Sequence, residues 1–235
     1  SKLLGEGYEF LSVILHEFQH LLTAANKPSY SHAYTEMMSL AVEDLLQTQI
    51  GCNNNKIIGY RINGFNAGYM TGLTSWNESE NSDFDYGSKA GFIDFLMRYY
   101  GGAQLIKEIA HSEYTELDAI IDGVRKQQIK KYGYSDETID SLMMKYSLCV
   151  LNAGKSEDKA LCGYTALTPY EHSMTINGKQ INFSLKPLNY NDYYNVPFPQ
   201  GNVYNYDENA KKMKECGVEF NIISAVTGLS TDEIE

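Results

Sequence analysis

The sequence is short of positive charge: nineteen Lys and Arg stand against thirty Asp and Glu, for a net charge of −11. No basic stripe is available to meet phosphates, which argues against a nucleic-acid binder. Long apolar runs are missing as well, and no stretch approaches the roughly 20 residues that a membrane-spanning helix needs. The only cysteines are Cys52, Cys149, Cys162 and Cys216, with no CxxC among them, which removes a cysteine-based zinc site. Their even count leaves two readings open: two disulfides in one of three pairings, or buried thiols. A single Trp beside nineteen Tyr gives a polar aromatic composition of the sort often met in exported proteins. No secretory leader and no internal repeat is visible. The first helical pattern begins a few residues after Ser1, which reads as a fragment or a processed form.

What is present suffices for a core. The 235 residues, 43% of them hydrophobic, can fold as one large domain or two small ones. The most informative stretch is Val13-Ile14-Leu15-His16-Glu17-Phe18-Gln19-His20-Leu21-Leu22, an HExxH inside an apolar run. From Tyr8 to Leu22 there is no Pro and no Gly, so the run reads as one buried helix. Positions four apart share a helix face, so His16 and His20 can turn two imidazoles toward one ion. Glu17 is one step round, placed to reach a water rather than the ion. Two neutral His ligands and a carboxylate that takes a proton from water make the kit of a zinc hydrolase. The competing reading is a helix that carries these polar residues by chance, and burying them without partners is costly.

Along the chain, helices are expected at 7–25 and at about 32–48, the first stopped by Asn26-Lys27-Pro28 and the second capped by Ser31. Residues 56–83, broken by Gly59, Gly64, Gly68 and Gly72, read as an irregular loop of the kind that lines sites. A third helix opens at Phe84 or Asp85 and closes at Gly101-Gly102. Helices follow at about 103–111, 116–131 and 136–151, with Ser135 as the cap of the last. Asn177-Gly178 between Thr175-Ile176 and Lys179-Gln180-Ile181 signals a hairpin with a type I′ turn. Val218 to Val226 reads as one more strand.

Catalytic zinc takes three protein ligands and leaves one position open. Asn26 stands where a metzincin would need its third His. Glu36, on the second helix, is the better candidate. Ser39 and Glu43 follow one and two turns on, and Glu43 could accept a hydrogen bond from a ligand His. His32, one turn before Glu36, is the rival ligand. His111 and His172 read as surface residues. The oxygen-rich Asn77, Glu78, Glu80, Asn81, Asp83 and Asp85 are candidate Ca2+ ligands, although no EF-hand spacing is present and a solvated acidic loop reads as well.

HEFQH, then a loop, then Thr35-Glu36-Met37-Met38-Ser39-Leu40-Ala41-Val42-Glu43-Asp44 resembles the gluzincin pattern. Within it the chain is similar to the hyicolysin-type zinc metallopeptidases. Those carry HExxH, a helix close to E-x-x-S-x-x-x-E-D, a Trp-containing loop and an aromatic helix ending in Tyr-Gly. The counterparts here are Leu73-Thr74-Ser75-Trp76-Asn77, Asp85-Tyr86-Gly87 and Phe92 to Tyr100-Gly101, so the match covers about residues 8–112. The resemblance implies Zn2+ on His16, His20 and Glu36, with Glu17 as general base. Gluzincins also use a Tyr or His to stabilise the oxyanion, and Tyr86 is the candidate here. The family places a small sheet before the zinc helix, whose edge strand pairs with substrate. That sheet is either removed here or encoded in a segment absent from this sequence. Residues 150–235 resemble no family.

The expectation is therefore an α+β fold. Residues 1–151 form a mainly helical, zincin-like catalytic region, and 152–235 form a strand-containing C-terminal region of the same or a second domain. The expected function is zinc-dependent endopeptidase, acting on a peptide or protein substrate, secreted or at the cell surface. A peptidase-like binding or adhesion module is the second reading, and a metal-free helical domain the third.

Overall fold

A computed structural model describes residues 7–27, 29–52, 56–67, 72–76, 82–188 and 214. Among them the chain is mainly helical, with an α+β composition: α1 (Gly7–Asn26), α2 (His32–Leu46), α3 (Lys56–Ala67), α4 (Ser82–Tyr100), α5 (Gly102–Ala110), α6 (Glu116–Tyr132) and α7 (Ile139–Leu151) precede one hairpin. No described helix is long and apolar enough to cross a membrane. The hairpin pairs β1 (Tyr170–Ile176) with β2 (Lys179–Leu185), antiparallel, with Tyr170 opposite Leu185 and Ile176 opposite Lys179. Asn177 and Gly178 both take positive φ, 50° and 76°, as the Asn-Gly signal requires. Val218 to Val226 lies outside the described residues.

α4 is the axis of the core. Phe92, Ile93, Phe95, Leu96 and Met97 are all buried, so the helix is covered on every side. α2 and α3 flank it, α5 follows after the Gly101 break, and Phe183 and Leu185 of the hairpin join the same apolar cluster. Ser31 caps α2 as expected, its backbone extended and its side chain accepting from the Tyr34 N–H. The Ser31 N–H and hydroxyl also donate to Glu116 at 2.7 Å each, which ties the start of α2 to the start of α6.

Three local expectations are corrected. First, α3 occupies part of the stretch read as irregular. Its glycine at 64 is a contact point: a Cβ on Gly64 would stand 2.1 Å from the Asp83 carbonyl oxygen, and one on Gly87 2.0 Å from the Phe65 nitrogen. α3 and α4 therefore touch backbone to backbone, and Ile58, Ile62 and Phe65, at helical spacing, are buried beside the contact. Second, α7 starts at Ile139, capped by Thr138 in a reciprocal box with Ser141. Ser135 is turned instead toward the Gln128 side chain.

The third correction concerns α1, which was read as a buried helix. Only Ser12, His16 and Thr23 are buried on it, whereas Phe10, Leu11, Val13, Ile14, Phe18, Leu21 and Leu22 are 42–67% exposed. The helix packs on α2 by its polar face, because that face finds hydrogen-bond partners there. None of the described residues covers the apolar stripe.

The core also holds an acid pair. Asp44 on α2 accepts from Arg98 on α4 at 2.6 Å and from Gln47 at 2.8 Å. Asp94 lies beside them, fully buried and against the Asp44 carboxylate. Burial, and then the neighbouring Asp44 charge, hold its carboxyl well above the ordinary range. An acid whose folded pKa is raised costs stability above its unfolded pKa, increasingly until pH reaches the folded value.

Asp94→Asn is thus expected to raise the thermal midpoint more at pH 8 than at pH 4, measured by circular dichroism melts across that range. Gly87→Ala is expected to cost about 1–3 kcal/mol, read as a lowered denaturant midpoint at unchanged slope, because α3 and α4 must part to admit the methyl group.

Candidate metal centre

α1 and α2 bring the expected ligands together. His16 and His20 sit one turn apart with their rings edge to face, centroids 4.7 Å apart. Glu36 comes from the facing turn of α2. Its Oε2 lies 2.9 Å from His16 Nε2 and its Oε1 3.2 Å from His20 Nε2. The three donor atoms fall within 4.8 Å of one another, close enough to share one ion. Two imidazole nitrogens and a carboxylate, half-buried or buried, form a donor set that suits zinc with a position left for water. No other such cluster of His, Cys, Asp or Glu occurs among the described residues.

The second nitrogen of each imidazole is also engaged. His16 Nδ1 meets Glu43 Oε1 at 2.8 Å, and His20 Nδ1 lies 3.4 Å from Ser39 Oγ, which itself donates to the His16 carbonyl at 3.1 Å. These contacts leave both Nε2 atoms facing Glu36, which is the orientation metal binding needs. The spacing of Glu36, Ser39 and Glu43 puts all three on one face of α2. Glu43 in turn accepts from Arg61 Nε at 3.0 Å and Nη2 at 2.8 Å. Arg61, on α3, sits in a glycine-punctuated stretch whose pattern predicts a loop, so nothing around it marks it as part of a site. Three arginines, Arg61, Arg98 and Arg125, are otherwise alike by sequence.

His32, the rival ligand, stands outside the triad. Its Nε2 lies 2.9 Å from Glu36 Oε1, the oxygen that also faces His20, and its ring stacks on Trp76 at 4.5 Å. The Trp76 ring meets Tyr86 edge-on at 4.9 Å. Buried Lys89 fixes this loop by donating to the Gly72 carbonyl at 2.9 Å and to Asp85 at 2.8 Å. Asp83 accepts from the Tyr60 hydroxyl at 3.1 Å. Both aspartates of the candidate Ca2+ group are therefore engaged by side chains, and its other four members lie outside the described residues.

Glu17 is exposed, one step round α1 from His16. Tyr86 lies in the second turn of α4, its ring 6.0 Å from that of His16. Its hydroxyl is pushed up to about 12 by burial and by the Glu36 charge, with smaller contributions from Glu43 and Glu17, while Arg61 opposes them. Tyr86 thus keeps its proton at neutral pH and shares its surroundings with Glu17. His111 is exposed and His172 half-buried, neither near the triad. No disulfide joins any two of Cys52, Cys149 and Cys162, and Cys216 lies outside the described residues. A separate apolar concavity of about 490 Å3 opens between α1, α2, α5 and the hairpin and contains none of the triad.

Compared with family models, with curated proteins and with solved structures, the chain matches none.

Without metal, burial lowers the His16 pKa, but hydrogen bonds to Glu36 and Glu43 outweigh it and raise the group to about 9. A histidine raised from 6.5 to 9 contributes stability that is complete below pH 6.5 and lost as pH rises through 9. Chelator-treated protein is therefore expected to lose thermal stability across that window. Zinc must displace the same proton, so its affinity is expected to rise over pH 6.5–9 with proton release, measured by calorimetry in buffers of different ionisation enthalpy.

Proposed function

We propose that the chain is a zinc-dependent peptidase. The observation that carries this reading is the convergence of His16, His20 and Glu36 donor atoms within 4.8 Å, with each imidazole oriented from behind. Zinc, when bound, supplies a Lewis acid and a water whose pKa is near neutral. Glu17 takes the proton from the attacking water and later delivers it to the leaving amine. Tyr86, protonated and beside His16, donates to the oxyanion that develops on the substrate carbonyl. Ser39 and Glu43 hold the imidazoles, and His32 holds the Glu36 oxygen that faces His20. The substrate class is peptide or protein.

Elemental analysis with a peptide-cleavage assay tests this. Wild type is expected to carry one zinc per chain and to cleave peptides. Glu36→Ala should lose the metal. Glu17→Gln should keep it and lose cleavage by about 10²–10⁴-fold. Zinc without cleavage in wild type would favour the peptidase-like binding module instead, and no zinc after reconstitution would remove both readings.

A further inference from the structure

The Arg61 side chain is half-buried, and its guanidinium has two neighbours in the site besides the Tyr60 ring at 5.7 Å. Its guanidinium donates twice to Glu43, whose carboxylate is 2% exposed and already accepts from His16. Its Cζ lies 4.6 Å from the centroid of the Tyr86 ring. One planar cation therefore links the carboxylate behind a ligand histidine to the proposed oxyanion donor. The backbone explains how it gets there. Arg61 is one turn before Gly64, Tyr86 is adjacent to Gly87, and these two glycines are where α3 and α4 touch. The glycine contact brings together the two helices that carry Arg61 and Tyr86.

We infer that Arg61 is a positioning residue with two separable jobs, an assignment that rests on the peptidase reading above. Its two hydrogen bonds hold the Glu43 carboxylate aimed at His16 Nδ1, and so support metal binding. Its guanidinium over the ring seats Tyr86, and so supports turnover. Lysine keeps the charge but has no planar fork to lie on the ring. Methionine keeps the stem and loses both.

The test compares Arg61→Lys and Arg61→Met, each checked for folding by circular dichroism. Zinc affinity is measured by chelator competition and cleavage is measured as separate kcat and KM. Arg61→Met is expected to weaken zinc binding by about 10–100-fold, the usual effect of losing a group behind a ligand. Arg61→Lys is expected to hold zinc within a few-fold of wild type while kcat falls about tenfold at unchanged KM. That loss should vanish in a Tyr86→Phe background, because both changes remove the same seated hydroxyl. If Arg61→Met fails to fold, the lysine variant and its cycle with Tyr86→Phe carry the test. Unchanged zinc affinity in folded Arg61→Met, or a kcat loss in Arg61→Lys that adds fully to that of Tyr86→Phe, overturns the assignment and leaves the peptidase reading standing. A wild type without zinc removes the peptidase reading and this one together.

Discussion

Glu43 is a buried carboxylate that accepts hydrogen bonds from two other helices, from His16 on α1 and from Arg61 on α3. Burying one charge alone is prohibitive, and burying it with its partners is tolerable only when the geometry is satisfied on every side. That condition constrains the placement of α1 and α3 on α2. Burial would raise the Glu43 pKa, but the His16 and Arg61 contacts outweigh it and hold the group below the usual carboxylate range. The orientation of His16 is thus a by-product of how three helices satisfy a single anion.

The same constraint explains why α1 lies with its polar side inward. Ser12, His16 and Thr23 are buried while seven large apolar side chains on the helix stay exposed among the described residues. In an ordinary amphipathic helix the apolar stripe decides orientation. Here the polar face meets Ser39, Glu36 and Glu43, and each of those contacts would be lost on rotating the helix. Glu17 lies at the margin between the two faces, next to the triad yet accessible. The general-base role proposed for Glu17 needs that position, because such a group must reach both the water and the leaving group.

Much of the site was legible in the residues. HExxH on a helix puts two imidazoles on one side, and Glu36, Ser39 and Glu43 recur at the spacing of one face of α2. Their convergence in space follows from those two patterns once the helices pack. Tyr86 came from the likeness to gluzincins and does lie beside His16. Arg61 was not legible, because Gly59 and Gly64 in its stretch point to a loop as readily as to a close helix contact. Glycine in a sequence signals either a turn or a close approach, and only a neighbouring backbone tells which.

By itself, then, the sequence determined the local structure that short-range chemistry controls. The helix periods, the Ser31 cap, the Gly101-Gly102 break and the Asn177-Gly178 turn all depend on residues within a few positions of one another. It also determined which side chains share a face. Only the tertiary structure decided which faces meet: the polar rather than the apolar side of α1 on α2, α3 against α4 through Gly64 and Gly87, and Trp76 over His32. Spacing along a helix sets direction relative to that helix alone. The partner for each face is chosen by long-range packing and by the need to satisfy every buried charge, and no local pattern encodes that choice.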